Sequence, residues 1–217
     1  MICTKSEWEC ICFLHISFSI LLHRIVCIGR RNIDLPTDGG WEKVEQNVVD
    51  YDSLDKSAKS FSNVDAAFCC LGTTRAKAGK TGFIKVDHEY VLNSAKLLKA
   101  ANCPDFHLLT SRGANVNSWF LYPQTKGQVE EDCKQLGFER LTIYRPGLLL
   151  CDRAEHRGGE KFFRWVASWF SQPSSWSIPT SMVAAAMVST SLTPVSGSSS
   201  VLEHADIVKI AQETGLD

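Results

Sequence analysis

The stretch FHLLTSRGANVNSWFLYPQTKGQVEEDCKQLGFERLTIYRPG, residues 106–147, sets out a strand, a helix and a second strand in order. Residues 106–110 (FHLLT) are a short apolar run of strand length. Residues 122–136 fit a helix. Pro123 is tolerable only in its first turn, because further in it would delete a backbone hydrogen bond. Gly137 closes the helix as a C-terminal cap. Residues 141–144 (LTIY) form the next strand. Two strands joined by one helix imply a parallel pair with a crossover connection.

The same alternation extends outward in both directions. Towards the N-terminus, residues 83–101 read as a helix with Val86, Tyr90, Leu92, Leu97 and Leu98 apolar, ended by Asn102 and Pro104. Before it, RAKAGKTG (75–82) reads as a basic, glycine-containing loop. VDAAFCCL (64–71) is a strongly apolar strand running into Gly72-Thr73-Thr74. Residues 53–61 fit a helix capped by Ser53. Residues 44–49 are a strand ending at Asp50, and DLPTDGG is the loop before it. Residues 25–28 (IVCI) form a buried strand stopped by Gly29 and followed by Arg30 and Arg31. Towards the C-terminus, residues 160–170 (EKFFRWVASWF) read as an aromatic-rich amphipathic helix packed on the sheet. Residues 182–187 suit a short helix of small residues, and 189–200 a serine-rich loop or linker. Residues 201–213 suit a terminal helix. The fold class is therefore α/β, a Rossmann-like doubly wound parallel sheet.

Composition narrows the function classes. At 217 residues the chain suits one α/β domain or two small ones. Its 44% hydrophobic and 22% charged residues are ordinary for a soluble globular protein. A net charge of −1 argues against a general nucleic-acid binder, which carries a basic excess. The nine cysteines are odd in number and irregularly spaced, without zinc-ligand spacing. They read as reduced, mostly buried thiols of an intracellular protein. CICFLHISFSILL (residues 10–22) is too short for a membrane span and lacks the flanks of a signal peptide, so it reads as a buried strand or helix.

The chemistry-bearing residues collect at strand ends, where a doubly wound sheet binds its ligands. Arg30 and Arg31 end the first strand and Asp50 the next. Leu71 and Gly72 end the third, and Ser111 lies just beyond the fourth. Tyr122 and Lys126 form a Tyr-x-x-x-Lys pattern. Residues four apart share a helix face, so the phenol and the ammonium point the same way. A neighbouring cation favours a phenolate, lowering a phenol's pKa from its ordinary value of about 10. The same spacing also suits a surface Tyr–Lys pair.

The strings IGRRN, VVDYDSLD, FCCLGTTRAKAG, SRGAN, FLYPQTKGQVE and YRPGLLLCDR, in order from Arg24 to about Arg157, resemble the short-chain dehydrogenase/reductase superfamily in its atypical, extended-like branch. The resemblance implies that Tyr122 is the general acid/base, that Lys126 assists it and holds the nicotinamide ribose, and that Ser111 hydrogen-bonds the substrate oxygen. It implies NADP(H) as cofactor, with Arg30 and Arg31 on the 2′-phosphate. Asp50 and Tyr51 would then lie by the adenine, Leu71 and Gly72 along the cofactor, and Leu149 and Arg157 by its nicotinamide half. The relatives it most resembles are redox-linked regulators of nuclear import, transcription and apoptosis. That implies nuclear transport receptors (importins) as partners, beside an unidentified small-molecule substrate. It also implies a monomer or homodimer and a cytoplasmic place, extending to the nuclear envelope. A catalytically silent cofactor sensor is the alternative.

The family pattern opens with a strand, a G-x-x-G-x-x-G loop and a helix whose N-terminus binds the pyrophosphate. Gly29 is the first glycine here. The expectation is a non-family segment over residues 1–23 and a truncated nucleotide-binding domain over 24–217, with a small C-terminal substrate or partner region. The N-terminal β-α unit is then missing or replaced, as by an alternative start or a truncated gene model, and cofactor binding is weakened.

Overall fold

A computed structural model describes residues 23–35, 41–150, 176–193 and 197–214 of the chain. Strand β1 (Ile25–Gly29) is buried along its whole length. It pairs in parallel with β2 (Val44–Val48), Ile25 lying opposite Val44 and Gly29 opposite Val48. A second parallel set runs in the spatial order β3 (Ala66–Cys69), β4 (Asp105–Leu109), β5 (Arg140–Arg145) and β8 (Ser199–Glu203). A small parallel pair, β6 (Leu148–Leu150) with β7 (Ser177–Pro179), leaves the C-terminal end of β5. The crossovers are α1 (Arg75–Ile84), a π-helical turn (Lys85–Tyr90) and α2 (Val91–Ala100) between β3 and β4, then α3 (Leu121–Gln135) between β4 and β5. Helices α4 (Thr180–Leu192) and α5 (His204–Glu213) flank β8 in sequence.

Successive strand side chains point to opposite faces, and here both faces are covered by helices. Val26 and Ile28 share one core with Ala67 and Cys69, under Val91, Ala95 and Leu98 of α2 and Val129 and Cys133 of α3. Ile25 and Cys27 share the other with Phe68 and Tyr144, under Val183 to Val188 of α4 and Ile207 and Ala211 of α5. β1 and β3 thus feed the same two layers, and the architecture is the doubly wound α/β fold that the apolar runs predict. Among the described residues, Cys27, Cys69, Cys70, Cys103 and Cys133 form no disulfide. Among the described residues, no helix is long and apolar enough to cross a membrane.

Several local expectations are corrected. Residues 75–82 form α1 rather than a loop: Thr74 Oγ1 accepts the Lys77 N–H at 3.3 Å and caps it. Gly79, at φ +70°, breaks that helix inside, which is why no continuous apolar stripe marks it. The helix expected from Ser53 is a 3-10 helix, Tyr51–Phe61. Its cap is Asp50, which accepts the Asp52 N–H at 3.0 Å, while Ser53 and Ser57 carry non-helical dihedrals. Of the residues 189–200 expected as a serine-rich linker, 189–192 are the end of α4 and 199–200 the start of β8, while 194–196 lie outside the described residues. Residues 201–203, expected in the terminal helix, are strand paired with β5. Serine is no strand former, but pairing along β5 and burial of Leu202 outweigh that preference. The apolar run 10–22, the helix expected over 160–170 and Arg157 lie outside the described residues.

Candidate active site

Three pieces of chain meet beyond the C-terminal end of β3: the exit of β3 supplies Gly72 and Thr73, the π-helical turn Asp87, and the first turns of α3 Lys126, with Tyr122 one turn before it. Ser111 follows the neighbouring strand β4. Lys126 is buried, and its Nζ lies 2.7 Å from Asp87 Oδ1. The other carboxylate oxygen of Asp87 accepts the Thr73 N–H at 2.8 Å. Burial disfavours the ammonium, but the Asp87 carboxylate outweighs it and the Lys126 pKa ends above its ordinary value. Lys126 is therefore a fixed positive charge. One turn earlier Tyr122 stands 47% exposed, its ring stacked on Phe83 at a centroid distance of 5.5 Å. Lys126 is thus a buried cation one helical turn along α3 from a half-exposed phenol.

The β4–α3 loop is fixed by backbone contact. The Asn115 N–H donates to Pro123 O at 2.9 Å, and Gly127 lies so close to Asn115 and Val116 that a Cβ would fall inside their backbone. Its second residue, Ser111, has a buried Oγ with no hydrogen-bond partner. Buried hydroxyls are almost always paired, so this one keeps an unused hydrogen-bonding capacity. Gly72 sits against the same pair: a Cβ there would lie 3.5 Å from Asp87 Oδ1 and 3.9 Å from Lys126 Nζ. Those are ordinary contacts, so the space tolerates a side chain.

The other expected residues spread along the strand ends. Arg30 and Arg31 are exposed just past β1. Asp50 caps the 3-10 helix. Tyr51 is buried, donates its hydroxyl to Ile28 O at 3.3 Å and stacks on Tyr90. Leu71 points into the core, leaving only its backbone for a ligand. Leu149 of β6 packs half-buried against the second core.

A relative, Protein HTATIP2 of Rattus norvegicus, is 44% identical over 200 residues, covering 89% of this chain and 81% of its own. The chain belongs to the HTATIP2 family. It also matches a fungal Protein FMP52-1, mitochondrial, of Scheffersomyces stipitis, at 45% identity over 106 residues, and spans about half of that protein's length (46%). MoeE5, solved in complex with UDP-glucose and NAD, shares the fold with a TM-score of 0.60 at 12% identity, over 88% of this chain and 74% of its own. No family model matches the sequence.

Two parts of this HTATIP2-family site escape the Tyr-x-x-x-Lys reading. Asp87 is the first. Its signal was its position: Phe83, Asp87, Val91, Ala95 and Leu98 are buried along one face, so an acid occupies a place in an apolar stripe. The second is Glu130, four residues beyond Lys126 and fully buried. It accepts the Thr110 hydroxyl at 2.6 Å and the Arg145 guanidinium at 3.0 Å, while Arg145 also donates to Glu203 Oε1 at 3.0 Å. The last residue before Ser111 is thereby tied to α3 and to the ends of β5 and β8.

Proposed function

We propose that the chain is an NADP(H)-dependent oxidoreductase of the short-chain dehydrogenase type acting on a carbonyl or alcohol. The observation that carries this reading is Lys126, buried and held charged by Asp87, one turn below the exposed Tyr122. A nicotinamide nucleotide, when bound, supplies the hydride. The residues fit it at its reactive end, where Ser111 Oγ is an unpartnered buried hydroxyl and Gly72 adjoins the Asp87–Lys126 pair. Arg30 and Arg31, exposed past β1, suit the extra phosphate of NADP through their planar guanidinium groups. Tyr122 exchanges the proton with the substrate oxygen, Ser111 orients that oxygen, and Lys126 stabilises negative charge on the phenol side of the transfer.

The test is NADPH oxidation with a panel of carbonyl compounds, alongside calorimetric titration of NADPH. Tyr122→Phe should lower turnover by about 10²–10⁴-fold with NADPH affinity unchanged. Equal turnover in the variant would remove Tyr122 from the chemistry.

A second reading is a cofactor-gated regulator that engages nuclear transport receptors. It is favoured by Trp119 and Phe120, which stand 100% and 78% exposed immediately before α3. Saturable NADPH binding without turnover, together with nucleotide-dependent capture of importins, would support it over the enzyme.

A further inference from the structure

A second buried group without a partner lies two strands from Ser111. His204, the first residue of α5, is 8% exposed. Its Nδ1 accepts the Gly147 N–H at 3.1 Å, which fixes the proton of the neutral ring on Nε2. That Nε2 is buried with no hydrogen-bond partner. Gly147 also touches Trp176, since a Cβ on it would fall inside the Trp176 carbonyl, and the Leu148 N–H donates to that carbonyl at 2.7 Å. The Trp176 ring carries the Arg112 guanidinium 3.9 Å from its centroid. Arg112 directly follows Ser111, and its own N–H donates to Pro146 O at 2.9 Å. Arg112, Trp176, Gly147 and His204 thus form one contiguous cluster across the ends of β4, β5 and β8. The cluster holds a neutral N–H donor and a guanidinium, and the orphaned Ser111 hydroxyl belongs to the residue directly before Arg112.

We infer that the substrate is a carbonyl or alcohol compound bearing an anionic group, a carboxylate or a phosphate, and that Arg112 and His204 bind that group while Ser111 holds the reacting oxygen. This assignment rests on the oxidoreductase reading for its second half. The chemistry of the cluster selects the anion. His204 Nε2–H can only donate while its Nδ1 is occupied as an acceptor, and Arg112 has five donors and no acceptor. Burial and the neighbouring guanidinium both keep the imidazole neutral. The pair therefore presents one positive charge and one oriented donor, which match an oxyanion rather than a cation or a plain hydrocarbon. Trp176 holds the guanidinium flat on its ring, which limits the freedom lost when an anion binds.

The experiment follows the His204 ring signals of the full chain by NMR during titration with acetate and with inorganic phosphate, using acetamide as the neutral control. The expected result is a saturable shift of His204 with both anions and none with acetamide. Arg112→Gln should weaken that response by about tenfold or more, as loss of a charge-assisted contact requires. His204→Asn, which keeps an acceptor for the Gly147 amide and a donor towards the site, should retain phosphate-dependent thermal stabilisation. A His204 signal that stays still with both anions, or moves equally with acetamide, overturns the assignment. The turnover arm separates this from the reading it rests on, by comparing oxo acids with their methyl esters. Absent turnover with a persistent anion response removes the oxidoreductase and leaves the anion site. Turnover equal on acids and esters with an unmoved His204 removes the anion site and leaves the oxidoreductase.

Discussion

At the scale of single residues, the Asp87–Lys126 pair decides what the site can do. Both partners are nearly inaccessible, so neither charge is tolerable without the other. Asp87→Asn should cost about 3–5 kcal/mol in urea unfolding, because it strands a buried ammonium. Replacing both, as Asp87→Leu with Lys126→Met, should cost less than the two single changes summed, which a double-mutant cycle reads directly. Additive costs would mean the two charges are not coupled. The spacing of Tyr122 and Lys126 was legible because it follows from helix geometry alone. Asp87 was not, because its partner lies 39 positions on in the chain and only the folded crossover brings the two together.

At the scale of elements, the position of α3 against the β4–α3 loop sets the distance between Ser111 and Tyr122. Gly127 is the contact: α3 meets the backbone of Asn115 and Val116 there with no room for a methyl group. Gly127→Ala should therefore destabilise by about 1–3 kcal/mol even though alanine is the better helix former. The check is chemical denaturation, together with NADPH turnover, which should fall as the loop is pushed away. A stabilised variant would show that α3 does not touch the loop. The limits of α1 and β8 were hidden for opposite reasons. Gly79 interrupts the apolar period of a real helix, and serines fill a real strand whose stability comes from its β5 neighbour.

At the scale of the whole molecule, polar chains cross the core and make stability depend on pH. His107 Nδ1 lies 2.8 Å from the Tyr144 hydroxyl, which also meets Thr190 of α4, while Asp105 Oδ2 accepts from Arg140 at 2.9 Å and lies 3.1 Å from His107 Nε2. Tyr144→Phe removes a hydroxyl that two buried partners share and should cost about 1–3 kcal/mol, measured by thermal unfolding. At His204, burial and then Arg112 push the imidazole below its ordinary pKa of 6.5. Between that value and the depressed one, the unfolded chain binds a proton that the folded chain refuses. The His204 contribution is thus fully present above pH 6.5 and is lost as pH falls through the folded pKa. Stability measured against pH should decline over that window, and His204→Asn should flatten the decline. An unchanged slope would place His204 in contact with water.

The alternation of apolar strands and helices, and with it the parallel, doubly wound sheet, is legible in the amino-acid order, because burial on both faces demands unbroken apolar runs. The same order puts Tyr122 and Lys126 one turn apart on a helix and Ser111 just past a strand, since these follow from period and order. Folding alone reveals which acid holds Lys126, that Glu130 and Arg145 clamp the strand ends, and that Arg112, Trp176 and His204 meet beside Ser111. Those contacts join residues far apart in the chain, and their energies depend on burial and distance, which no local pattern encodes.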